Sequence, residues 1–98
     1  MAPLASAPSI VQKEIVQFLH FPQEDVLQIR SEKALRQQKL EKATSVGNLN
    51  HTKVGIVFED IHGLKKIETT IWATTKNNII LKKGSTIPIH RIRNIVFV

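Results

Sequence analysis

Lys66-Ile-Glu-Thr-Thr-Ile-Trp-Ala-Thr-Thr75, followed closely by Ile87-Pro-Ile-His-Arg-Ile92, is the stretch around which the rest of the chain must pack. It is rich in β-branched residues, it holds the only Trp of the 98 residues, and turn residues bound it on both sides. From Leu64 to Thr74 the pattern alternates. Ile67, Thr69, Ile71 and Ala73 share one phase and Lys66, Glu68, Thr70 and Trp72 the other, as a strand with one buried face requires. A strand of this length has to bend if its sheet is to close, and the pair Thr69-Thr70 marks the point for curvature.

Working outward, Val54, Ile56 and Phe58 alternate with Lys53, Gly55, Val57 and Glu59 as a first strand, and Asp60-Ile61-His62-Gly63 has the composition of a type I turn. On the other side, Lys76-Asn77-Asn78 predicts a hairpin turn, Ile79 to Lys82 a third strand, and Lys83-Gly84-Ser85 a further turn. Thr86 to Ile89 reads as a very short fourth strand, with Pro88 confined to an edge or a strand end. His90-Arg91-Ile92 fits one helical turn before a last strand from Arg93 to Val98. Residues 53–98 are thus expected to form a small five-stranded antiparallel, bent barrel. Val54, Ile56, Phe58, Ile67, Ile71, Leu81, Ile87 and Ile95 should share its core, with Lys66 facing water. Trp72 is either carried into that core by the bend, the favoured reading, or left outside as a stacking platform.

Upstream the period changes. Residues 1–8 read as a disordered terminus, and Ser9 followed by Ile10, Val11, Ile15, Phe18 and Leu19 predicts a short amphipathic helix. His20-Phe21-Pro22 breaks it, and a second helix is expected from Pro22 to about Thr44, closed by a left-handed residue at Gly47. Arg30, Lys33, Arg36, Lys39 and Lys42 recur along this helix, and the favoured reading is a solvated face. The fold class is α+β: one domain over residues 1–98, with a helical segment at 9–47 followed by the small barrel.

The order of these elements resembles the small barrels of the Sm and Hfq type. The resemblance covers roughly residues 53–98: Lys53-Val-Gly-Ile-Val-Phe58, the turn at His62-Gly63, Asn78-Ile-Ile-Leu81 and Ile89-His-Arg-Ile92 fall where that family carries its strand and turn motifs. It implies that His90 would stand at the family's uridine-contacting His. The chain departs from the family by lacking a Gly in the middle of the long strand and by carrying Ile89 in place of a Lys. The run from Glu68 to Ile92, behind a basic helix ending at Gly47-Asn48, also resembles short uncharacterised bacterial proteins, a kinship that implies no activity.

Fourteen Lys and Arg against eight Asp and Glu give a formal charge of +6, the sign of a surface that meets phosphates or acidic partners. The absence of Cys excludes disulfides, thiolate metal sites and cysteine nucleophiles. His20, His51, His62 and His90 stand at no ligand spacing, so no metal and no cofactor are expected. Glu59, Asp60 and Glu68 are the only carboxylates of the barrel half, and the adjacent pair points apart on a strand end, so no enzyme is expected either. The first reading is a non-enzymatic nucleic-acid (RNA) binding module, acting through a basic rim of Lys82, Lys83, His90, Arg91 and Arg93. The alternative is a structural or adaptor protein that docks a partner, or a second copy of itself, through Val26, Ile29, Leu35 and Leu40. With no secretory signal and no apolar run near 18 residues, the expectation is a cytoplasmic protein without membrane contact.

Overall fold

The long alternating stretch forms two strands that meet at a bend. In the computed structural model, which describes residues 7–97, the order is β1 (Ser9–Ile10), a 3₁₀ turn at Lys13–Phe18, α1 (Arg30–Asn50), β2 (Val54–Asp60), β3 (Gly63–Thr69), β4 (Ile71–Thr74), β5 (Asn78–Leu81), a 3₁₀ turn at Lys82–Gly84, β6 (Thr86–Pro88), a 3₁₀ turn at Ile89–Arg91 and β7 (Ile92–Phe97). Thr70 lies between β3 and β4, so the chain bends where the β-branched pair placed the curvature. Its carbonyl leaves the ladder and accepts the Lys82 amide at 3.1 Å, and its hydroxyl donates to the His51 carbonyl at 3.3 Å.

The bend divides the strands into a sheet ordered β1-β3-β2-β7 and a sheet ordered β4-β5-β6. Neither closes into a barrel. The fold is α+β, with one long helix and two open sheets among the described residues. The 3₁₀ turn at Ile89–Arg91 separates β6 from β7, and the two strands do not pair. The register follows the alternation: Ile56 stands opposite Ile67 and Ile95, and Ile71 opposite Leu81. Val54, Ile56, Phe58, Ile67, Ile71, Leu81, Ile87 and Ile95 are all buried in one cluster. Lys66 lies on the opposite phase, where its stem covers the outer side of Gly55. Trp72 does not turn inward. It stays on the outer phase of β4, 45% exposed.

The N-terminal half departs most from its expected helices. Ser9 and Ile10 add a short parallel strand to β3, and Val11 donates to the Lys66 carbonyl at 2.9 Å, so no helix begins there. Only Lys13–Phe18 winds up, with three residues per turn in place of 3.6; Val16 points inward and Ile15 and Phe18 are left outside. The disordered terminus expected over residues 1–8 lies outside the described residues as far as residue 6.

The second helix starts at Arg30, not Pro22. Residues 20–29 run as a strap whose backbone groups bond elsewhere: Pro22 and Glu24 carbonyls and the Val26 amide all meet the turn at Ile89–Arg91. A helix from Pro22 would need those groups for its own ladder. Once started, α1 passes Gly47 and ends at His51, whose left-handed φ of 55° lets its amide reach the Gly47 carbonyl. Gly47 has a different task. A Cβ there would lie 2.3 Å from the Ile71 carbonyl oxygen, so its hydrogen lets the helix close on β4.

Arg36, Leu40, Ala43 and Gly47 form the buried stripe of α1. The solvated face expected for the helix cations therefore holds only in part. Arg36 is 7% exposed, and its guanidinium meets both Asp25 carboxylate oxygens at 2.9 Å and the Ile92 carbonyl at 3.0 Å. Lys39 donates to the Asn94 side chain at 2.7 Å, and Lys42 stands 4.9 Å over the Phe97 ring.

Candidate nucleic-acid interface

Two basic 3₁₀ turns flank β6, one at Lys82–Gly84 and one at Ile89–Arg91. Sequence reasoning joined them into one rim. The structure separates them.

The second turn faces inward. His90 Nε2 lies 2.9 Å from the Pro22 carbonyl, which can only accept, so that nitrogen carries the proton. The His90 carbonyl accepts the Val26 amide at 2.9 Å. Arg91, 7% exposed, donates through Nε to the Glu59 carbonyl at 3.1 Å and through Nη1 to the Glu24 carbonyl at 2.7 Å. These bonds fasten the strap to the sheets. Arg93, on the exposed side of β7, is paired with the Glu59 carboxylate. His90 Nε2 and the Nε and Nη1 of Arg91 are thus bonded to backbone carbonyls, and Arg93 is paired with a carboxylate.

The first turn faces outward. Lys82 and Lys83 are exposed, and neither ammonium has an acceptor among the described residues. Lys83 takes a left-handed φ of 71° and Gly84 one of 95°, which turns the chain sharply between β5 and β6. Opposite stands the turn at Lys13–Phe18, held close by the Ser85 hydroxyl, which donates to the Lys13 carbonyl at 3.4 Å.

Between the two lies a groove of about 450 Å³. Val16, Leu19, Phe21 and Pro88 form its apolar wall, while Gln17, Asn78, Thr86 and Lys83 supply polar groups. A smaller hollow of about 200 Å³ adjoins it at Lys13, Glu14 and Ser85, where Lys13 and Glu14 stand 3.8 Å apart. Gln17, Phe21, Asn78 and Thr86 were not singled out in the sequence. They come from separate segments whose approach depends on the strap and on the bend at Thr70, and no spacing rule signals that.

The apolar docking set is divided as well. Leu40 is fully buried against the sheets and is core, contrary to its expected place on a partner surface. Val26 is half-buried in the strap, with its amide bonded to His90. Ile29 and Leu35 do face solvent, at 57% and 50% exposure. Leu35 borders a shallow hollow of about 180 Å³ with Lys39, Arg93 and Asn94.

Asp25 is the carboxylate that binds strap to helix. Burial pushes its carboxyl up, but the Arg36 guanidinium, the Leu27 amide and Lys33 together outweigh that and hold it below the ordinary value. Asp60 behaves likewise in the β2–β3 turn. Its burial is opposed by the Lys65 ammonium and the His62 amide, both 3.0 Å from Oδ1, and by the His62 charge, and the net direction is down.

Comparison of the chain with family models, with curated proteins and with solved structures finds no match. No helix among the described residues is long and apolar enough to cross a membrane.

Proposed function

We propose that this protein is a non-enzymatic binding module for single-stranded nucleic acid, RNA in the first place, and that the contact surface is the turn at Lys82–Gly84 with the groove beside it. One observation carries the reading: Lys82 and Lys83 stand exposed without acceptors beside an open groove, while the other basic residues of the predicted rim are committed internally. Unpaired ammonium groups on a turn are suited to phosphates, because counterion release on contact favours binding whatever the sequence. The resemblance to the Sm and Hfq barrels belongs to the same proposal, supported by the bend of one strand at Thr70 into two sheets.

The test is a fluorescence anisotropy titration with a generic single-stranded RNA over a range of salt. If Lys82 and Lys83 each meet a phosphate, the logarithm of the association constant should fall with the logarithm of salt at a slope of about 1.4. Replacing Lys82 and Lys83 by Ala should lower that slope. Absence of binding at low salt removes the proposal.

A second reading has its own observation. Ile29 and Leu35 are large, apolar and more than half or half exposed near the start of α1, which favours self-association or a docked protein partner through the helix and β7. A solution mass equal to that of a monomer at working concentration would remove the self-association form of it.

A further inference from the structure

We infer that the groove between the turn at Lys13–Phe18 and the β5–β6 connection holds one nucleotide of a single-stranded ligand and reads its base. The inference rests on the nucleic-acid reading above and adds sequence preference to it. Phosphate contact alone needs only exposed cations; it needs no cavity. The groove, at about 450 Å³, falls within the roughly 300–1,000 Å³ typical of small-ligand sites.

Its chemistry is graded in the way a nucleotide is. Phe21 and Pro88 offer apolar contact for the face of a base, and the Phe21 ring is braced by the Phe58 ring, 6.0 Å away and tilted by 49°, so it is held before any ligand arrives. Asn78 and Gln17 bring carboxamides, which both donate and accept and so match the mixed edge of a base. The Asn78 side chain has no hydrogen-bond partner among the described residues, although its backbone is fixed by the Thr75 hydroxyl at 3.0 Å. Lys83 stands at the rim, where a phosphate would follow. No carboxylate lines the groove itself, and Glu14, in the adjoining hollow that Lys83 also borders, is paired with Lys13. A free phosphate would leave the apolar wall unused, and an apolar ligand would leave the amides and the ammonium unmatched.

The experiment uses the full chain and three fluorescein-labelled RNA octamers, of uridine, adenosine and cytidine, titrated at low salt. The expected result is a difference of about tenfold between the tightest and the weakest octamer, the scale of one well-made pair of base contacts. Asn78→Ala should bring the three affinities together while leaving the dependence on salt unchanged. Lys83→Ala should weaken all three alike and reduce that dependence. Gln17→Ala, at an exposed position, is expected to narrow the preference too, and it decides the matter if Asn78→Ala fails to show the native Trp72 emission and circular dichroism.

Equal affinities of the native protein for the octamers, or an unchanged order in a folded groove variant, overturn the groove inference and leave the nucleic-acid reading standing. Failure to bind any octamer overturns both.

Discussion

The turns at Lys82–Gly84 and Ile89–Arg91 lie on either side of a three-residue strand, and each carries two basic residues, yet they serve opposite ends. At the second, imidazole and guanidinium nitrogens find backbone carbonyls of the strap and become part of the fold. At the first, two exposed ammonium groups have no acceptor among the described residues. The difference lies in the partners. A basic residue near a stretch of chain that cannot satisfy its own carbonyls becomes structural, because an unpaired buried carbonyl costs about 1–3 kcal/mol and a planar guanidinium can serve two at once. A basic residue on a hairpin tip that faces solvent, as Lys82 and Lys83 do, has no such strap beside it.

The largest effect is expected at Arg36, the buried cation that joins helix, strap and β7. Arg36→Ala leaves the Ile92 carbonyl unpaired and takes the guanidinium from the Asp25 carboxylate, which keeps only the Leu27 amide and Lys33, and should cost about 3 kcal/mol in urea unfolding. Arg91→Ala follows at about 2 kcal/mol, since it orphans the Glu59 and Glu24 carbonyls. If Arg91→Ala proves as mild as Lys83→Ala, the division into inward and outward turns is wrong.

Acid should weaken the strap's hold through Asp25 and leave the outward turn unaffected. A carboxyl held below its unfolded value of about 3.9 lends stability that is complete above that value and is lost as pH falls toward the folded one. Asp25→Asn should therefore be less stable than the native chain near neutrality, and its stability should fall less between pH 6 and pH 3. Urea unfolding at those two pH values measures both. Asp60, lowered in the same direction, leaves a residual acid sensitivity in that variant.

The smallest effect sharpens the contrast from the other side. Replacing Lys82 and Lys83 together by Ala should change folding stability by less than about 0.5 kcal/mol, as for surface residues without partners, while RNA affinity falls. A large loss of stability would show that these ammonium groups have acceptors after all.

What could be read in the sequence follows from chemistry local to a few residues. Alternation with period two is local, so Val54, Ile56 and Phe58, and Ile67, Thr69 and Ile71, could be assigned to the buried face, and the bend at Thr70 followed from β-branched crowding on an overlong strand. The turn that carries Lys82 and Lys83 was legible for the same reason, since Gly84 marks it.

Only the tertiary structure decided the rest, because it depended on partners far along the chain. Whether residues 20–29 are helix or strap is settled by His90 and Arg91, which lie 68 and 67 positions from their acceptors Pro22 and Glu24. Arg36 is buried because Ile92, 56 residues away, presents a carbonyl to it. Gly47 has the local character of a helix end, yet it sits inside a helix because the Ile71 carbonyl leaves no room for a Cβ. The sequence by itself determined which residues are apolar, which alternate and where the turns fall. The assembled fold determined which charges are structural and which are free, because a hydrogen bond between distant segments exists only once both are in place.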